Sequence, residues 1–172
     1  QMCIRDSHLL FLVSISVVYS FKSWKKLFWI VTFFTIGHSM SLVISSYNIY
    51  KPNSEIIEFL IPVTIIISAL TNLFFLKSTQ KISYLTILIA LFFGLIHGFG
   101  FANFFNQITF NDGVDLVALI GFSFGVETAQ ILIATSILIL NSILFLINPG
   151  FRKNYVRLIS IIVCLLTILI FI

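Results

Sequence analysis

Charge is scarce in this chain. Only 9% of its 172 residues are Asp, Glu, Lys or Arg, against about 25% in an average soluble domain. With 59% of residues hydrophobic, there is too little polar surface to cover a soluble fold. Cysteine is equally sparse. Cys3 and Cys164 are the two present, with no CxxC and no neighbouring histidine, which excludes a disulfide framework and a zinc knuckle. Cys164 reads as a small apolar residue of the last helix. No Gly-rich phosphate loop with its Lys-Ser/Thr occurs, which argues against ATP hydrolysis by this chain. The net charge of +4 does not point to nucleic acid. The basic residues stand in short clusters between apolar runs, not in a stripe interleaved with exposed aromatics. Phenylalanine is abundant, at 20 residues, and lies inside those runs.

What remains is a succession of apolar runs. The sequence predicts an all-α polytopic membrane protein, a bundle of about six transmembrane helices. Residues 1–7, Gln-Met-Cys-Ile-Arg-Asp-Ser, stand outside the pattern and read as a non-native or truncated terminal scar, leaving 8–172 as one transmembrane domain. The runs cover 8–21, 27–50, 55–76 (with Pro62 inside), 82–105, 116–147 and 156–172. Lys51-Pro52-Asn53-Ser54, Asn111-Asp112-Gly113 and Asn148-Pro149-Gly150 supply turn chemistry between them. Loops 22–26, 77–81 and 148–157 carry eight Lys or Arg, whereas the two loops on the other side carry one, Lys51. The positive-inside rule places the first set in the cytoplasm and both termini outside.

Ionisable side chains within spans are costly and face a bundle interior or a functional path. Here they are His38, His97 and Glu127 near mid-span, Glu58 about one turn into the third run, and His8 at the outer end of the first. Imidazole and carboxylate form a normal ligand set for nickel, cobalt or zinc. A carboxylate in low dielectric requires a proton or a cation, so Glu127 also suits a proton relay. The plainer alternative is that each group is buried and satisfied by a neighbouring hydroxyl or amide. Ser39, Asn103, Ser123 and Gln130 are the candidates to support the ligands from behind.

Small residues recur every four positions: Gly37, Ser41 and Ser45; Gly94, Gly98 and Ala102; Gly121, Gly125 and Ala129. This spacing lets helix backbones approach closely and marks Gly37, Gly94, Gly98, Gly121 and Gly125 as packing positions. Glu127, Ser123 and Gln130 fall on the face of the fifth helix away from its glycines. Gly121 to Gly125 also matches G-x-S-x-G, but a nucleophile elbow needs a strand-turn-helix setting, not the middle of a long apolar helix.

In order along the chain stand "HLLFLVSI" from His8, "FTIGHSMSL" (34–42), "IE" at Ile57-Glu58 followed by "IPVT", "FGLIHGFGFA" (93–102) and "FSFGVETAQ" (122–130). Together they resemble the HupE/UreJ family of hydrogenase and urease accessory membrane proteins. The resemblance covers 8 to about 130, and "FGLIHGFGFA" is its most specific string. It departs at Ser7, where the family has Asp, at Ser123, where Asn is usual, at Ala129, where Gly is usual, and at Thr64, commonly Ser. The resemblance implies a bacterial inner-membrane permease importing nickel or cobalt for metalloenzyme maturation. His8, His38, Glu58, His97 and Glu127 would fall on the family's polar positions. The expected partners are the lipid bilayer, a divalent metal ion as substrate and metalloenzyme accessory proteins, with no permanently bound cofactor, no enzymatic activity and no nucleic acid. An intramembrane hydrolase using Ser123 and His97, and a scaffold binding a metal-insertion partner through its basic loops, are the alternatives.

Overall fold

A computed structural model describes residues 2–74, 84–108 and 116–171, apart from the side chains of 2–5, 103–108, 116 and 149. Its helices are α1 (Met2–Ser16), α2 (Trp24–Ser46), α3 (Ser54–Phe74), α4 (Tyr84–Ile108), α5 (Leu116–Ile147) and α6 (Arg152–Phe171), with no strand among the described residues. Residues 75–83 and 109–115, on which the basic turn 77–81 and the Asn111-Asp112-Gly113 turn are expected, lie outside the described residues. Five helical stretches are long and apolar enough to cross a membrane, and α1 is a shorter apolar helix. The protein is a multi-pass, all-α membrane protein.

Local chemistry sets the helix ends. α2 stops at Ser46, short of the expected Tyr50. The Ile49 N–H donates to the Ile44 carbonyl at 3.0 Å and the Asn48 N–H to that of Ser45 at 3.1 Å. Asn48 sits at φ 54°, a left-handed position that asparagine tolerates, and the pair of bonds is a Schellman ending. α6 begins at Arg152, ahead of the expected Val156, because Pro149 opens a short 3-10 turn, Pro149–Phe151, that runs straight into it. Pro62 stands inside α3 without ending it. Its missing N–H frees only the carbonyl of Glu58, a residue at the exposed end of that helix.

α1 ends at Ser16, and the carbonyls of the connection that follows it need partners outside a helix. The buried Asn141 of α5 meets them. The two hydrogens of its Nδ2 are shared among the carbonyls of Ser16 (3.1 Å), Val17 (3.3 Å) and Tyr19 (2.9 Å). Arg152 Nη2 donates to the Val18 carbonyl at 3.0 Å, and the Phe21 N–H donates to Ser142 Oγ at 2.8 Å. In this connection Lys26 Nζ lies 5.5 Å above the Tyr19 ring. On its other side α1 meets α3, where Ser14 Oγ donates to Ser68 Oγ (3.0 Å) and Asn72 Nδ2 to the Ser14 carbonyl (2.7 Å). α1 contacts α3, α4, α5 and α6, so the shortest helix lies inside the bundle.

The closest pairing is α2 on α4, and glycine makes it. A Cβ on Gly37 would overlap the Leu91 carbonyl oxygen, one on Gly94 the Phe34 carbonyl oxygen, and one on Gly98 Ser41 Oγ and the His38 carbonyl oxygen. These are the packing roles expected of all three. Gly121 and Gly125 differ: among the described residues nothing lies within 4 Å of a Cβ on either, and both are exposed. α5 turns Gln130, Ala134 and Leu138 inward, and the glycine face points away from the rest of the chain.

Candidate metal site

α1, α2 and α4 each bring one histidine to the same place. The ring centroid of His8 lies 5.1 Å from that of His38 and 5.2 Å from that of His97. His38 is 1% exposed and His97 fully buried. The glycine seam explains the convergence. His38 follows Gly37 and His97 precedes Gly98, so both imidazoles sit where α2 and α4 approach most closely. α1, lodged inside the bundle, adds the third. His8 was expected at the outer end of its span. Because α1 begins at Met2, His8 lies about two turns into the helix, among the other two.

Nitrogens of His38 and His97 are left available. His97 Nδ1 is 2.8 Å from the Phe93 carbonyl. A carbonyl only accepts, so Nδ1 carries the proton and Nε2 presents a lone pair. Among the described residues that Nε2 is buried without a hydrogen-bond partner, as are both nitrogens of His38. The nearby Ser41 hydroxyl donates to the His38 backbone carbonyl at 2.8 Å, not to the ring. Each orphaned buried polar atom costs about 1–3 kcal/mol. Structural core histidines are normally satisfied, and a neutral imidazole nitrogen of this kind can donate its lone pair to a cation. The rings meet edge to face. Among the described residues no three His, Cys, Asp or Glu side chains are placed to grasp one ion together. The imidazoles are gathered but not closed on a common point.

The carboxylates lie elsewhere. Glu127, expected to share a path with His38 and His97, accepts a hydrogen bond from Thr32 Oγ1 at 3.1 Å. It lines a groove of about 590 Å³ between α2 and α5, together with Thr35, Ser39 and Ser123. No contact joins it to an imidazole among the described residues. Glu58 is exposed. With Lys51, Ser45 and Gly100 it lines a pocket of about 20 Å³, room for about one water.

The residues expected to support the ligands follow Glu127. Ser39 and Ser123 line the same groove, and Ser123 Oγ donates to the Leu119 carbonyl at 2.9 Å. Gln130 meets Thr35 on the same seam. Thr35 has one hydroxyl proton, yet its Oγ1 stands 3.0 Å from the Val31 carbonyl and 2.9 Å from Gln130 Oε1, while Gln130 Nε2 is buried without a partner. Turning the amide over removes both conflicts: Nε2 donates to Thr35, and Thr35 donates to Val31. The Asn103 side chain lies outside the described residues. The G-x-S-x-G string is helical throughout, and no hydrogen bond joins Ser123 to His97 among the described residues.

The family model described as HupE / UreJ protein matches residues 2–172. The chain belongs to the HupE/UreJ family. No curated protein and no solved structure matches it. The histidine strings that carry the resemblance are thus the segments that this HupE/UreJ chain folds into one buried cluster.

The sequence reading missed two features. One is Asn141, whose signal was an amide isolated in the apolar second half of α5. The other is the aromatic surround of the histidines. His97 lies against Phe11 and Phe34, with centroids 5.3 Å from each. His38 lies against Phe101 (6.0 Å) and Phe122 (6.3 Å). Among 20 phenylalanines, nothing in the pattern marked these.

Proposed function

We propose that this protein is an inner-membrane permease that admits a divalent transition metal cation, nickel or cobalt, for hydrogenase- or urease-type metalloenzyme maturation. The single observation that carries this reading is the meeting of His8, His38 and His97 from three helices, with His38 and the Nε2 of His97 buried and unpartnered. Neutral imidazole suits nickel, cobalt and zinc, and the HupE/UreJ family is linked to nickel and cobalt transport. The loop charges orient the path. The end carrying Lys22, Lys25, Lys26, Arg152, Lys153 and Arg157 faces the cytoplasm, and both termini face outward. No carboxylate touches the imidazoles among the described residues. A cation held by neutral ligands alone is held weakly, as transport requires: binding must be favourable enough to enter and weak enough to leave. The metal is cargo, and no permanently bound cofactor is invoked.

The test is labelled-nickel influx into cells or proteoliposomes carrying the protein, compared with His38→Ala and His97→Ala at matched membrane insertion. Influx that disappears in both variants, with cobalt competing better than magnesium, is the expected result. Influx that survives the loss of both histidines would refute the reading.

A further inference from the structure

Each histidine of the cluster has a phenylalanine one turn away on its own helix: His8 and Phe11 on α1, His38 and Phe34 on α2, His97 and Phe93 on α4. Along the helix axes these spacings amount to about 5 Å. The direction of each step is informative. On α1 the phenylalanine follows the histidine, and on α2 and α4 it precedes it. α2 and α4 run parallel, since Gly94 meets Phe34 and Gly98 meets His38. α1 runs opposite to both, its C-terminal connection joined to Arg152 at the basic end. All three phenylalanines therefore lie on the same side of the histidines, the side of the basic loops.

They also touch. Phe11 stacks on Phe34 with centroids 4.7 Å apart and planes at 24°, and meets Phe93 edge-on at 5.9 Å. All three are buried, in one core cluster. On the opposite side the covering is thinner: Phe101 stacks on Phe122 at 5.0 Å beside His38, and both rings are only half-buried. Three rings from three helices, lying directly inward of the imidazoles, offer a cation neither a ligand nor water.

Resting on the permease reading, we propose that Phe11, Phe34 and Phe93 form the inner gate of the path, a dry constriction whose rings must part before a cation leaves the histidines for the cytoplasm. The gate sets the rate of release and refuses ions still carrying their water.

The test has two arms. The first needs no transport. In a Cys3→Ser, Cys164→Ser background, His8→Cys places a thiol above the gate, and a membrane-impermeant thiol reagent is applied from the basic side. Labelling should be negligible with Phe34 present and at least tenfold faster with Phe34→Ala. Phe34→Leu, which keeps most of the bulk but loses the flat stack, should be intermediate, and it carries the test if the alanine variant does not insert. Labelling indifferent to position 34 would overturn the gate. The second arm measures nickel influx into proteoliposomes with all histidines intact, where Phe34→Ala or Phe93→Ala should raise the rate at least threefold. The arms separate the two claims. If labelling depends on Phe34 but the wild-type chain passes no nickel, the permease reading fails and the constriction stands. If influx requires His97 but labelling ignores Phe34, the constriction fails and the permease reading stands.

Discussion

Replacing Gly94 by alanine should damage this protein, whereas the same change at Gly121 should not. A Cβ on Gly94 would overlap the Phe34 carbonyl oxygen and stand 2.9 Å from its carbon, where ordinary contact begins at 3.4 Å. The obstacle is backbone, so no side chain can rotate away. Relief requires α2 and α4 to separate by about 1 Å, a gap that forfeits up to about half of the dispersion well across the seam. Overpacking of this kind costs about 1–3 kcal/mol, and a backbone obstacle argues for the upper end. His38 and His97 flank the same seam, so nickel influx should fall with stability. At Gly121 and Gly125 an added Cβ meets nothing within 4 Å. Alanine there should be neutral, or should stabilise by up to about 1 kcal/mol through helix propensity. Thermal unfolding in detergent can be followed by fluorescence of Trp24 and Trp29, the two tryptophans of the chain, both on α2. Equal loss of midpoint in Gly94→Ala and Gly121→Ala would refute the assignment of the seam.

Three further outcomes are expected. His38→Phe removes two buried unpartnered nitrogens, so unfolding should shift upward by about 2–6 kcal/mol while nickel influx is lost; a clear drop in stability would mean those nitrogens are satisfied. Asn141→Ala strips the donor from the carbonyls of Ser16, Val17 and Tyr19. It should destabilise by about 1–3 kcal/mol and speed amide exchange in the connection between α1 and α2, and unchanged exchange would argue against the clamp. Glu127→Gln can keep the hydrogen bond from Thr32 and should lower nickel influx far less than His97→Ala, whereas equal loss would return the carboxylate to the path.

Two contrasts show what one-dimensional pattern omits. Equal spacing made Gly94-Gly98 and Gly121-Gly125 look alike, yet the first pair meets backbone and the second meets nothing. A four-residue repeat defines a helix face without saying what covers it. Likewise His38, His97 and Glu127 were all mid-span and ionisable. α5, however, presents Glu127 to Thr32 and to a groove whose lining includes none of the histidines. Depth in the membrane is legible from position along a run, but the angle around the bundle is not.

The sequence by itself determined the solvent, the helix count, the alternation of loop charge and the identity of the ionisable residues. Each of these is a property of a run of residues, and hydrophobicity summed over about 20 positions is a strong local signal. The tertiary structure alone decided that α1 lies inside the bundle, with the connection after it held by Asn141 and Arg152. It also decided that three histidines separated by 30 and 59 positions meet in one cluster, and that Phe11, Phe34 and Phe93 pack together beside it. These facts depend on how far apart helices stand and how each is rotated. In a membrane, where lipid is as apolar as any core, hydrophobicity does not choose the rotation. Close glycine packing and the need to satisfy every backbone carbonyl choose it.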